Sequence, residues 1–363
     1  MLVTGRDQTK PKGCGRAGHC AAQLSVMGRP LYFSHPACLE HETPGGHPER
    51  PARITAIESS LAECGWLGYE VREAPPASRQ LLEAVHSAEY VDAVRSMSDR
   101  GGGAFDQENH VSAGSYDAAV HASGAACAMV EALLAAGGPR VGFCATRPPG
   151  HHARADTTCG FCLFNHIAVA SRHALDSLGA RRVFIIDWDV HHGDGTNDIF
   201  RGTNDVLFAS IHQSRCFPGT GPLNDAGARV GEGYSINLPV EKGSPEDAWF
   251  SLLEHIVIPA AEEFAPDLVL ISAGYDAHRD DQQGGCELET SSFAEMARYI
   301  RGLGERTGAP VGAILEGGYA LDALAASVCA TMEALAGNEP VGSVAPDFFT
   351  SRAAAHVGFH WRL

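Results

Sequence analysis

The sequence predicts an α/β fold in three layers, with a mostly parallel sheet between two sets of helices. Two observations carry this. Short apolar runs alternate with longer helical stretches, as repeated βα units do. Polar, glycine-rich segments follow three of those runs directly, where open α/β sheets place their ligands. In chain order, Leu31–Ser34 reads as a strand. Residues 51–64 read as a helix, with proline and glutamate at its amino end. Residues 112–136 form an alanine-rich helix closed by Gly137 and Gly138. The later strands are 141–145, 182–187, 206–211, 235–238, 268–272 and 311–315. The later helices are 164–178, 245–264, 291–302 and 321–336. No linker divides the chain, so residues 28–363 read as one domain behind a flexible extension, 1–27.

Composition narrows the function. Of 363 residues 44% are hydrophobic and 20% charged, which excludes a disordered chain. Lys+Arg 27 against Asp+Glu 44 gives a net charge of −17, which disfavours direct nucleic-acid binding. Eleven cysteines, odd in number and scattered, read as a reduced set in a cytoplasmic protein. No apolar run is long enough to span a membrane, and residues 1–30 lack the apolar stretch of a secretory leader. Cys14, His19 and Cys20 could together hold a metal, although a plain tail is the simpler reading.

The densest polar cluster is Asp187-Trp188-Asp189-Val190-His191-His192-Gly193-Asp194. Alternation at a strand end would put Asp187, Asp189 and His191 on one face. Two buried carboxylates repel, and a cation removes that cost; the alternative is a solvated turn. Asp276, after the strand at 268–272, is the candidate third ligand, or else a helix N-cap. Asp189, His191 and Asp276 would form the three-ligand set of a catalytic zinc, and carboxylate-rich sets also accept Fe²⁺ or Mn²⁺. The stiff segment Arg147-Pro148-Pro149-Gly150 leads into His151 and His152. Asp187 and Asp194 are available to orient these imidazoles for general-base work, unless the histidines are exposed loop residues. Gly317 and Gly318 would aim Tyr319 inward as an oxyanion donor, or the ring is packed.

Taken together, RPPGHHA at 147–153, GFCLFNH at 160–166, DWDVHHGDG at 187–195, FPGTG at 217–221, SAGYDAH at 272–278 and EGGY at 316–319 resemble the histone deacetylase, acetylpolyamine amidohydrolase and acetoin-utilisation family. GGHPERPARI at 45–54 adds a class II flavour. The likeness runs over about residues 30–340. It implies the arginase-like fold with an eight-stranded sheet, and hydrolysis of an acyl-lysine amide by metal-activated water. An acylated polyamine or other small amine is the alternative substrate. Zinc would sit on Asp189, His191 and Asp276, with Fe²⁺ as another metal. His152 would be the general acid-base and His151 its electrostatic partner, paired with Asp194 and Asp187 respectively. Tyr319 would polarise the carbonyl. Phe161 and Phe217 would wall a channel at Gly160. Structural potassium would bind at Asp187, Asp189, His191, Ser210 and Ile211, and again at Phe200, Thr203, Val206 and Tyr234.

Three departures stand out. Asn165-His166 replaces the family's usual Asn-Asn. Cys159 makes a CxxC with Cys162, a pattern also met in redox and zinc sites. Gln283 stands at the channel mouth, where relatives carry a Leu or a polyamine-selecting Glu. An arginase-like ureohydrolase would need two metals, and the tandem histidines do not belong to it. A non-catalytic acyl-lysine reader would show a degenerate site. Loop 38–46 leaves room for an entrance rim or a homo-oligomer contact.

Overall fold

The computed structural model describes residues 28–363. The extension 1–27, with Cys14, His19 and Cys20, lies outside the described residues. Strands β1 (Leu31–Ser34) and β2 (Glu70–Glu73) flank helix α1 (Ala52–Glu63). Helices α2 (Arg79–Glu83) and α3 (Ala88–Asp99) lead to a small hairpin, β3 (Gly102–Ala104) and β4 (His110–Ser112). Helix α4 (Ser115–Leu134) precedes β5 (Val141–Cys144), and α5 (His166–Ser177) precedes β6 (Val183–Asp187). Then come α6 (Asp194–Phe200), β7 (Val206–Gln213), β8 (Ser235–Val240), α7 (Glu246–Leu252), α8 (Ile258–Phe264) and β9 (Leu268–Ala273). The chain closes with α9 (Thr290–Thr307), β10 (Val311–Leu315), α10 (Leu321–Ala336) and α11 (Phe348–Val357).

Eight strands form one sheet in the order β2-β1-β5-β10-β9-β6-β7-β8, and every pairing is parallel. Central strands are apolar throughout because both faces are covered. Alternate residues feed two cores. Phe184 and Ile186 join the core beneath α1 and α7–α10, while Val183 and Ile185 join the one beneath α4 and α5. Helix α4 is long and apolar enough to cross a membrane, but most of it is buried within the protein. Met129 of α4 lies across the sheet where Gly142 of β5 and Gly312 of β10 leave room; a Cβ on either would come within 2.6 Å of it.

Some expected elements differ. The single helix expected over 245–264 is α7, a π turn at Leu253–Val257, and α8. Pro259 has no N–H to give the His255 carbonyl, and the wider turn ahead of it takes up the break. Helix α5 begins at His166, since the Asn165 side chain accepts the Ala168 N–H (3.0 Å) and caps it. The run at 291–302 extends to Thr290–Thr307. Strand β2, helices α2, α3, α6 and α11, and the hairpin were not expected.

Candidate metal centre and active-site cleft

Three adjacent strands bring the polar segments to one edge. The register pairs Asp187 of β6 with Ser272 of β9, and Ala273 with Leu315 of β10. Segments 188–194, 274–283 and 316–320 therefore start side by side at the carboxyl edge, joined by the loop after β5.

Strand β6 stops at Asp187, so strand alternation does not run on to His191. Asp187 accepts the Asp189 N–H through Oδ1 (3.0 Å) and turns Oδ2 to His151 Nδ1 (2.9 Å). Asp189 and His191 converge instead with Asp276, one ligand atom of each lying within 4.8 Å of the others. His191 Nδ1 is 3.0 Å from Asp189 Oδ1 and 3.1 Å from Asp276 Oδ2. No helix begins at Asp276; its Oδ1 accepts the Val190 N–H (2.9 Å). Gly317 must be glycine here, since a Cβ would lie 2.1 Å from Asp276 Oδ2. Both carboxylates are fully buried. Burial, then the Asp189 charge, pushes Asp276 upward. Burial would raise Asp189 too, but the charges of His151 and His191 hold it below the usual carboxylate range. Two buried carboxylates and an imidazole beside a cleft fit a divalent cation, which would relieve that repulsion. This is the one such cluster among the described residues.

The tandem histidines are buried, and each is paired with its own carboxylate. His152 Nδ1 meets Asp194 Oδ1 at 2.7 Å, and Arg154 holds the other Asp194 oxygen at 2.8 Å. Burial disfavours a charged His151, but the charges of Asp187 and Asp189 push it up to about 10. Burial, then the charge on His151, brings His152 down to about 4. The two rings sit side by side, centroids 3.9 Å apart, and their surroundings push them in opposite directions. With Nδ1 turned to Asp194, Nε2 is the basic nitrogen of His152. His166 is a fixed wedge: Nδ1 meets Ser123 Oγ (2.8 Å) and Nε2 meets the Pro148 carbonyl (3.0 Å), steadying the loop before the histidines.

A buried polar layer supports these groups. Glu316 accepts the N–H groups of Gly150 (2.7 Å) and His151 (3.0 Å), and burial pushes its carboxyl up to about 7. Arg147 forms a two-pronged pair with Glu49, both bonds 2.7 Å, and donates to the Cys38 carbonyl. Arg53 donates to the Glu316 and Gly318 carbonyls and lies 4.8 Å from the Tyr319 ring centroid. The side chains of Glu316, Arg147, Glu49 and Arg53 are all fully buried.

A cavity of about 90 Å³ opens over the cluster, lined among others by His151, His152, Gly160, Phe161, His191, Phe217, Gln283 and Tyr319. Phe217 stands edge-on to His152, and Phe161 edge-on to Tyr319. Phe161 has φ 68°, and its N–H donates to Asn109 Oδ1 (2.9 Å). Cys159 and Cys162 are free thiols raised by burial, and they form a turn of the channel wall.

The structure therefore gathers every expected catalytic, metal and channel residue at one site. Of the residues expected for potassium, Ser210 stands beside Asp187 in register. Phe200, Thr203, Val206 and Tyr234 lie at the α6–β7 connection and before β8. Sequence reasoning missed Glu108, which lines the cavity, and the supporting Glu49, Asn109 and Asp281. Only the GGHPERPARI segment hinted at the first of these supports.

An eight-stranded parallel sheet carrying an Asp₂His cluster and two carboxylate-paired histidines fits a hydrolase able to hold a metal. Comparison with known proteins agrees, and the chain belongs to the family of the histone deacetylase domain, whose model matches residues 47–335. It is 39% identical over 277 residues to the histone deacetylase-like amidohydrolase of Pseudomonas aeruginosa, covering 76% of this chain and 73% of that protein. It is 36% identical over 339 residues to the chloroplastic histone deacetylase 14 of Arabidopsis thaliana, covering 86% and 78%. The crystal structure of the HDA15 HD domain superposes with a TM-score of 0.84 at 34% identity, over 92% of this chain and 95% of that one. The protein is accordingly a hydrolase of amide bonds, of the deacetylase and amidohydrolase type, acting on acylated substrates.

Proposed function

We propose that the chain removes acyl groups from lysine side chains, within one catalytic domain spanning 28–363. The carrying observation is the pair of buried histidines, each bonded to its own carboxylate, beside the Asp189–His191–Asp276 cluster. Zinc is the metal that best suits this donor set, with Fe²⁺ as the other choice. When bound it would polarise the amide carbonyl and acidify water. The protein supplies the rest. Neutral His152 takes the proton of the attacking water at Nε2 and returns it to the amine as the C–N bond breaks. Charged His151 keeps its neighbour neutral and favours negative charge developing beside it. Tyr319 donates its phenol O–H to the carbonyl oxygen as that charge grows. Phe161 and Phe217 hold the aliphatic arm. Asp187 and Ser210, with their backbone neighbours, would carry one structural potassium, and the Phe200–Tyr234 group the other. Nine free cysteines among the described residues support a reducing cytoplasmic setting.

A second reading, an acylated polyamine or small amine as substrate, is favoured by Glu108. Gln283 at the mouth is neutral, but Glu108 brings a carboxylate to the same cavity. The metal-loaded enzyme is assayed on an acetyl-lysine peptide and on acetylspermidine. A tenfold higher kcat/KM for the peptide, about 1.4 kcal/mol of discrimination, supports the first reading. The reverse supports the second. Retained turnover on either substrate in Asp189→Ala would overturn the site itself.

A further inference from the structure

We infer that Asp281 is a positioning residue that sets Tyr319 against the channel mouth. This rests on the reading of Tyr319 as the carbonyl-polarising phenol. Tyr319 follows two glycines, and Gly318 has φ 116°, so the segment after β10 has little local preference of its own. Its ring packs against Phe161 and the Arg53 guanidinium, contacts that tolerate sliding. Its main chain is held more tightly. Asp281 Oδ2 accepts the N–H of Tyr319 (2.5 Å) and of Ala320 (2.9 Å), while Oδ1 accepts the N–H of Gln283 (2.9 Å). The Asp281 N–H is itself anchored on the His278 carbonyl (2.9 Å).

One buried carboxylate thus holds main-chain donors from two loops. Helix α10 starts at Leu321, and its N-cap residue, Ala320, has no side chain able to cap it. Asp281 instead places a carboxylate just ahead of that helix end, where it accepts the N–H of Ala320 itself. The main chains of Tyr319 and Gln283, which both line the cavity, are tied through a single group. A structural brace alone would leave chemistry intact once the protein folds. A positioning residue would not, because a shift of about 1 Å in a donor costs on the order of 10²-fold in rate.

The experiment is a double-mutant cycle. Asp281→Asn keeps size but presents an amide N–H₂ toward donors that need an acceptor. Asp281→Glu keeps the charge on a longer arm and serves as the second variant should the first fail to fold. Each is made in the parent and in Tyr319→Phe. Metal content and thermal midpoint are recorded alongside kcat and KM on a short acetylated amine. In the parent, both variants are expected to lower kcat on the order of 10²-fold with KM within about threefold. In Tyr319→Phe the same changes should cost less than about threefold, because the group being positioned is gone. Equal losses in both backgrounds, or no loss in the parent, overturn the inference. Full activity of Tyr319→Phe alone would overturn the phenol's role, and the positioning role with it.

Discussion

Gly160→Ala tests how closely the channel wall is fitted to the base. A Cβ at this position would lie 2.3 Å from His152 Cδ2 and 2.9 Å from the Phe217 ring. Ordinary contact begins at 3.4 Å, so the imidazole must retreat by 1.1 Å. That movement pulls on the 2.7 Å bond to Asp194. Misplacing a catalytic group by about 1 Å costs on the order of 10²-fold, or about 2.7 kcal/mol of barrier. Alanine at φ 50° adds about 1–2 kcal/mol of backbone strain, which lowers stability without touching chemistry. Gly179→Ala separates the two effects, because Gly179 has φ 80° and nothing within 4 Å of a built Cβ. Both variants should unfold earlier in urea, but only Gly160→Ala should lose kcat on an acetyl-lysine reporter. A kcat within threefold of the parent would refute the reasoning.

Two further outcomes are expected. Glu316 binds its proton more tightly folded, at about 7 against an ordinary 4.5, so its contribution to stability falls as pH rises through that window. Glu316→Gln removes that dependence; in urea titrations of chelator-treated protein, its stability relative to the parent should rise by about 3 kcal/mol between pH 4.5 and 7.5, and a flat difference contradicts the burial argument. Glu49→Gln leaves the buried guanidinium groups of Arg147 and Arg53 without their carboxylate and should destabilise the fold by about 3–5 kcal/mol; a loss under about 1 kcal/mol would show the pair is dispensable.

What the sequence made legible was local. Strands β5, β6, β9 and β10 are apolar runs with abrupt polar ends, and the metal cluster is spelled out within a few residues of those ends. Strand β2 could not be read that way. Its residues, Glu70-Val71-Arg72-Glu73, are mostly polar because it is an edge strand, and it exists by pairing with β1. Helix α3 was missed although Ser87 caps it, because its apolar face is short. The supports of the site were illegible for another reason. Arg147 and Glu49 are 98 residues apart, and Tyr319 and Asp281 are 38 apart, so no local spacing announces them.

The central placement of β6, β9 and β10 has a consequence for how the protein opens. Their amides lie in the middle of the sheet, where hydrogen exchange waits on global unfolding. The candidate metal ligands Asp189, His191 and Asp276, and Glu316, follow the ends of those strands. The proposed channel residues, Phe161, Phe217, Gln283 and Glu108, lie in the connecting segments outside the strands. Exchange is thus expected to be slower at the strands that lead into the Asp189–His191–Asp276 cluster than at the segments lining the cavity. Loop exchange between relatives could therefore change what enters while leaving the hydrolytic step intact.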